Sequence, residues 1–408
     1  MRLLLATDYY PPFIGGAQIQ SQVLARELHA RGHEVSVVTP WQKGIPEIRD
    51  DDGVSVYGIR QLRTLPWIEP RNFVQQHQPP FPDPVSVLAI RRIVRRINPD
   101  VVHSFGWIGY SCTVALAGRR TPLVAVARDY AYGCANRTLM RDGRECSGPG
   151  LAKCLPCAGR NYGRPRGWVA ALGVLASRPL LRRRIDAMHS ISEYVQLMMR
   201  RDFLRGAAVE EVVIHDMIET ARVGSASDAL LDLLPNEPFI LFVGALRRIK
   251  GIAELIAAHG CLNDPPPLVL IGTVEPDTPT IPGNVAVLRD APHSVVMEAW
   301  ERSLFGVFPS QFPEPLGTVV CEGMSRGKPV IGTAPGGHTD MIVDGLTGLL
   351  VPRHDVNALA AAMQRLIDDS DLRGRLGAQA RLRARDFTAA TSIPRLEAMY
   401  ARLLGASR

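Results

Sequence analysis

Residues 2–39 read RLLLATDYYPPFIGGAQIQSQVLARELHARGHEVSVVT. A short apolar run, Arg2 to Thr7, ends in the loop Tyr9-Tyr10-Pro11-Pro12, followed by Gly15-Gly16. From Ala17 to Arg31, Ile19, Val23, Leu24 and Leu28 recur at helical spacing; Gly32 stops the helix, and Glu34 to Thr39 reads as a strand again. A strand, a helix and a strand in that order predict two parallel strands joined by a crossover helix.

The same alternation runs outward from this unit. Val54 to Ile59, Asp100 to His103, Leu123 to Ala127, Asp186 to Ser190 and Glu211 to Ile214 read as further strands, with helices near 85–97, 107–118 and 166–183 and one from Ser192. The pattern breaks between Asp129 and Pro165, a polar, Gly-rich stretch that looks loop-rich and holds four of the seven cysteines. Residues 216–237 have the polar composition of a linker. A second series follows, with strands at Phe239 to Val243, Leu268 to Ile271, Val285 to Leu288, Leu304 to Phe308 and Pro329 to Thr333. Helices are expected after Lys250, from Gly317, and near 355–368 and 371–384. The expected fold class is α/β, with two doubly wound Rossmann-like domains facing a cleft. The first domain is 1–215, including the insert 129–165; the second is 238–385. The last helix, within 386–408, suits either domain and is grouped with the first.

A chain of 408 residues with 46% hydrophobic and 21% charged residues is not a disordered or collagen-like polymer. Its net charge of +7 rests almost wholly on arginine, since only Lys43, Lys153, Lys250 and Lys328 are lysines. The clusters Arg91-Arg92, Arg95-Arg96 and Arg182-Arg183-Arg184 lack interleaved aromatics, which argues against a nucleic-acid platform. They remain compatible with phosphates or with peripheral contact to an anionic membrane. No apolar run approaches the roughly 20 residues that span a bilayer. The N-terminal run meets Asp8 too early for a signal peptide, so a cytoplasmic protein is expected. Asp50-Asp51-Asp52 precedes Gly53 and reads as a solvated turn.

In doubly wound sheets ligands bind beyond the carboxyl ends of the strands. Gly15 and Gly16 stand at one such end, before a helix whose N-terminus offers N–H groups and a positive dipole end. A plain turn is the alternative for them. His103 ends the strand DVVH, where a general base, a substrate contact or a structural hydrogen-bonder are all compatible. The strongest signal is Glu314 and Glu322, separated by seven residues across the strand-to-helix turn PSQFPEPLGTVVCE. The amides at Leu316, Gly317 and Thr318 suit a phosphate, Glu322 suits ribose hydroxyls, and Glu314 suits a sugar or its leaving group. Gly327-Lys328-Pro329 and Pro335-Gly336-Gly337 follow, the latter read as another ligand-facing loop.

In this ordered series the chain resembles the family 4 retaining glycosyltransferases of GT-B fold. The resemblance covers nearly the whole chain: YYPPFIGGAQ, RGHEVSVVTP, PDVVHSFG, FVG, KG and PEPLGTVVCEGMSRGKPVIGTAPGG through DGLTGLLVP. It implies a nucleotide-diphosphate sugar donor on the second domain and an acceptor on the first, a lipid-linked saccharide or a natural product. It further implies that Glu314 contacts the donor sugar, Glu322 the ribose, Lys250 and the amides of Leu316 to Thr318 the diphosphate, and Gly16 the donor from the facing domain. No catalytic metal is expected, because a cation and amides can take the leaving-group charge.

Departures from the family pattern raise a second reading, a degenerate member that binds a sugar or nucleotide without turnover; a sugar phosphorylase is a third. Ala245 stands where an arginine is usual, leaving Arg247 or Arg248 to supply that charge. Arg128 replaces a histidine before an Asp-Tyr pair; it can hold an anion but cannot act as a base. In the insert, Cys134, Cys146, Cys154 and Cys157 form a group closed by a C-x-x-C pair, a segment also found in a subgroup of the family. In a cytosolic protein four thiolates suit a structural zinc better than disulfides, with free thiols the remaining option. Cys112, Cys261 and Cys321 fall in apolar patterns and are expected to be buried.

Overall fold

The computed structural model describes residues 1–12, 15–62, 78–218 and 228–406. The chain divides into two compact units, Met1–His215 with Ser392–Arg408, and Asp216–Thr391. Of the segment read as a linker, 219–227 lie outside the described residues; Leu234, further along it, is buried.

The first unit holds β1 (Arg2–Thr7), β2 (Glu34–Pro40), β3 (Ile48–Asp51), β4 (Val54–Ile59), β5 (Val101–Phe105) and β6 (Leu123–Ala127). A small hairpin of β7 (Met140–Arg141) and β8 (Arg144–Glu145) follows, and then β9 (Ala187–Ser190) and β10 (Glu210–Val213). The main sheet runs β10-β9-β6-β5-β1-β2-β4-β3. Its central strands read LLLA, VVHSF and LVAVA because both faces are covered, which favours continuous apolar runs over alternation. In that sheet, among the described residues, only β3 runs antiparallel, against β4. This corrects the reading of the acidic triplet: Asp50 and Asp51 are strand residues, and Asp52 turns the hairpin. Asp51 is bound to Arg26, to the Tyr10 hydroxyl at 2.6 Å and to Gln22 at 3.0 Å, so it is not a solvated acid.

The second unit carries β11 (Phe239–Val243), β12 (Leu268–Ile271), β13 (Ala286–Leu288), β14 (Ser303–Phe308), β15 (Val330–Ala334) and β16 (Gly348–Pro352). They form one parallel sheet, β13-β12-β11-β14-β15-β16. In each sheet the winding direction reverses once, between β1 and β5 in the first and between β11 and β14 in the second. Connections leave opposite faces on the two sides of such a reversal, which opens a crevice at the strand ends.

The last helix, Ala389–Ala406, places residues from Ser392 onward in the first unit. Ile393, Leu396, Met399 and Tyr400 are buried, and Glu397 pairs with Arg31 and His33 at 2.9 Å each. The Tyr400 hydroxyl donates to His103 Nδ1 at 2.6 Å. His103 Nε2 lies 3.3 Å from His189 Nδ1, and His189 Nε2 donates to the Ile214 carbonyl at 2.8 Å. That carbonyl accepts only, so it fixes the tautomer of each ring in turn, and both histidines are neutral. Among the described residues no helix is long and apolar enough to cross a membrane.

Candidate active site

The reversal between β11 and β14 gathers the second unit's predicted residues. Beyond β11 the chain forms a short turn, Arg248–Lys250, and then Gly251 at φ 80°. A Cβ on Gly251 would stand 1.9 Å from the Pro309 carbonyl, so only glycine lets this turn close on the end of β14. Gln311 N–H donates to Ile249 O at 2.8 Å and locks the two loops together.

Lys250 therefore meets Glu314, which lies 64 positions later in the chain, at 2.9 and 2.8 Å from Nζ to the two carboxylate oxygens. Ser310 Oγ donates to the same carboxylate at 2.9 Å, and Lys250 sits over the Phe312 ring. Burial pushes the Glu314 carboxyl up, yet Lys250 and the Ser310 hydrogen bond outweigh it and hold the carboxyl below its ordinary range. Glu314 is an anion gripped by a cation at the mouth of the crevice.

Leu316 is buried, and Gly317, in the left-handed region at φ 89°, caps the helix Thr318–Ser325. No acid occupies the first turn of that helix, so its amides and dipole are not countered locally. Glu322 falls on its second turn, 3.2 Å from His293 Nε2. A residue missed from sequence is His338, which follows the loop Pro335-Gly336-Gly337. Thr333 N–H donates to its Nδ1 at 3.2 Å, which leaves Nε2 as the protonated, donating nitrogen on the side of Gly317 and Glu314. Burial drives His338 down to about 4, so it is neutral. The glycine loop before it was the available signal. A Cβ on Gly337 would stand 2.2 Å from Pro315 O, and Gly337 N–H donates to Glu314 O at 2.6 Å, so this glycine fits the loop against the Glu314 segment.

Arg247 turns to Asp277 at 3.0 Å, and Arg248 is exposed.

In the first unit, Gly15 caps the helix Gly16–Ala30, and a Cβ on Gly16 would meet nothing within 4 Å. Arg128, at the end of β6, donates to Ala17 O and Ser21 Oγ at 3.0 Å and stacks over Phe105. It braces this helix N-terminus instead of standing as a bare anion site. His103 is 1% exposed with both ring nitrogens engaged, so the expectation of a base or substrate contact gives way to a structural role. Sequence reading also missed Asp8, which accepts from Trp107 and Ile108 N–H at 2.8 and 2.9 Å and ties the ends of β1 and β5 together.

The insert contains a helix, Leu151–Tyr162, where a loop was expected, and it carries Cys154 and Cys157. All seven cysteines are free; Cys112 and Cys321 are buried, but Cys261 is exposed, contrary to expectation.

Residues 231–383 match the family described as glycosyl transferases group 1, and residues 15–215 match the glycosyl transferase 4-like domain. The chain belongs to the family 4 glycosyltransferases. A D-inositol 3-phosphate glycosyltransferase of Arthrobacter sp. (strain FB24) is 26% identical over 394 residues, covering 91% of this chain and 86% of its own. Among solved structures, sucrose-phosphate synthase from Thermosynechococcus elongatus superposes with a TM-score of 0.72 at 20% identity, with full coverage of both chains. Anabaena HepE, in complex with UDP and glucose, gives 0.69 at 15% identity, covering 98% of this chain and 100% of its own. The fold shared with these proteins is GT-B, with two Rossmann-like domains.

Proposed function

We propose that this protein moves a glycosyl group from a nucleotide-diphosphate sugar to an acceptor hydroxyl with retention of anomeric configuration and without a catalytic metal. The observation that carries this reading is the Lys250–Glu314 pair, set beside the Gly317-capped helix at the sheet reversal. The donor's diphosphate offers Lys250 a second anion, and the amides of Leu316 to Thr318 receive the phosphate oxygens. Glu322 accepts from the ribose hydroxyls, and Glu314 then faces the sugar. As the bond from C1 to the phosphate oxygen breaks, negative charge grows on the diphosphate, where a cation and amides lower the barrier most. The acceptor oxygen bonds to C1 on the same face, and its proton passes to the departing phosphate. That Anabaena HepE is solved in complex with UDP and glucose supports a nucleotide-sugar donor.

The acceptor is assigned to the first unit. Its helix Arg164–Arg184 leaves Trp168, Val169 and Leu172 exposed, with exposed Arg164 at its start and exposed Arg183 at its end, which supports an acceptor presented at an anionic bilayer, such as a lipid-linked saccharide. Co-sedimentation with anionic but not neutral vesicles tests this; a protein that ignores both favours a free natural-product acceptor.

Titration with UDP-, GDP-, ADP- and dTDP-sugars, read for hydrolysis and transfer, tests the reaction, and NMR of the product anomer tests retention. Binding without cleavage of any donor would instead favour the non-catalytic reading, and cleavage of a disaccharide by inorganic phosphate the phosphorylase.

A further inference from the structure

The insert carries four cysteines for which glycosyl transfer has no use. Cys134, Cys146, Cys154 and Cys157 line one cavity of about 20 Å³, room for a single ion or water. They arrive from three places. Cys134 ends the turn after Tyr130, Cys146 follows the hairpin β7–β8, and Cys154 and Cys157 lie three apart on one side of the helix Leu151–Tyr162. Nitrogen donors point at the sulfurs: Gly150 N–H to Cys154 Sγ at 3.4 Å, and Asn136 Nδ2 to Cys157 Sγ at 3.1 Å. Two of the thiols are themselves turned onto carbonyls, Cys146 to Gly148 O and Cys157 to Met140 O, so the four are not drawn to one point. Among the described residues no three His, Cys, Asp or Glu side chains stand at metal-ligating distances.

We propose that these four cysteines bind one zinc ion as a closed structural site. Four thiols give up four protons to solvent and four Zn–S bonds form, at about 2.3 Å each, with loss of the two S–H contacts to carbonyls. The resulting site has a net charge of −2, and Lys153 and Arg141, which line the same cavity, offset it. With four thiolates the ion has no open position, so it takes no part in glycosyl transfer.

The site also has a mechanical consequence. Arg137 lies three residues after Cys134 in the left-handed region, φ 65°, inside the cysteine-bounded segment. Its guanidinium leaves the insert, donates to Asp129 Oδ2 at 2.8 Å and to Tyr9 at 3.3 Å, and covers the rings of Tyr9 and Trp107. Zinc would hold the turn that delivers this guanidinium to the ends of β1, β5 and β6. Arg137 is thus a positioning residue for the strand-end loops of the first unit.

The test is elemental analysis of the full chain purified under reducing conditions without added metal. About one zinc per chain is expected, released by an organomercurial that caps the thiols. Cys154→Ser and Cys157→Ser should lose the zinc, and Cys261→Ser, at an exposed cysteine outside the group, should keep it. Should the serine variants misfold, cobalt exchanged into the wild-type chain still reads the site, as thiolate-to-cobalt charge-transfer bands of tetrahedral type. Hydrogen exchange across 129–157 should rise on metal removal. Zinc-free protein whose thiols all react and whose exchange ignores a chelator would overturn the proposal. So would iron in place of zinc, or a mass showing disulfides among the four.

Discussion

Lys250 and Glu314 neutralise each other while the donor is absent, so the donor must compete with a carboxylate for the lysine. Its diphosphate wins most strongly when its charge is greatest, at bond breaking. Lys250→Ala is therefore expected to cut turnover by on the order of 10²–10³ while donor affinity falls only a few-fold. Steady-state kinetics beside calorimetric titration of the donor check this; equal losses in both would mean the lysine serves binding alone. Glu322 plays the opposite part. Removing the ribose's acceptor in Glu322→Ala is expected to weaken nucleotide binding by about 1–3 kcal/mol, measured with the nucleoside diphosphate alone. Unchanged affinity would remove Glu322 from the ribose site. At this scale the sequence carried a good deal. The spacing of Glu314 and Glu322 and the lysine before Gly251 were readable because chemistry restricts the residue types. His338 was not, because its tautomer is set by Thr333 N–H and its burial by loops that pack against it.

Elements were legible where apolar runs alternate with helical periods. The central parallel strands fall within a residue or two of their expected places, since a strand buried on both faces has little freedom in composition. Edges were not. β3 is IRDD and has one sheet neighbour, and β16 has only β15, so neither needs a long apolar run. The helix Leu151–Tyr162 was hidden by its cysteines and by Pro156. His103 was misjudged because its partner, Tyr400, lies 297 positions away on the last helix. That contact has a measurable weight. Tyr400→Phe leaves the buried His103 Nδ1 without its donor and is expected to cost about 1–3 kcal/mol of stability, read from urea unfolding. A midpoint unchanged from wild type would show that the hydroxyl does not hold the helix.

The same histidines make stability depend on pH. Burial holds His189 at about 4 in the folded chain, against an ordinary 6.5, and lowers His103 as well. The unfolded chain takes up these protons below 6.5 while the folded chain does not, so the stabilisation present above 6.5 is lost as pH falls toward 4. A loss of about 1 kcal/mol per pH unit from His189 is expected in that window, and protonation of His103 acts in the same direction. In Tyr400→Phe, His103 Nδ1 has no donor to displace when it is protonated, so the slope should flatten. Urea midpoints between pH 7 and pH 5 measure both slopes, and a flat wild-type profile would contradict the neutral network.

For the whole molecule, the predicted phosphate and ribose contacts all belong to Asp216–Thr391, while Gly16 belongs to the other unit. This separation can be tested without cutting the chain. A Cβ on Gly16 meets no protein atom within 4 Å, and alanine there narrows the unfolded ensemble, so Gly16→Ala should fold at least as stably as the parent. If the backbone at Gly16 approaches the sugar side of the bound donor, the added methyl occupies that space. Turnover should then fall by roughly tenfold or more, an energy of about 1.4 kcal/mol at the transition state, while affinity for the bare nucleoside diphosphate stays at the parent value. Glu322→Ala should reverse the pattern, losing affinity for the bare nucleotide first. Calorimetry with the nucleoside diphosphate and kinetics with the intact donor, run on both variants, separate the two contributions. Full turnover in Gly16→Ala would mean that the amino-terminal helix of the first unit stands clear of the sugar, and the glycine pair would revert to an ordinary turn.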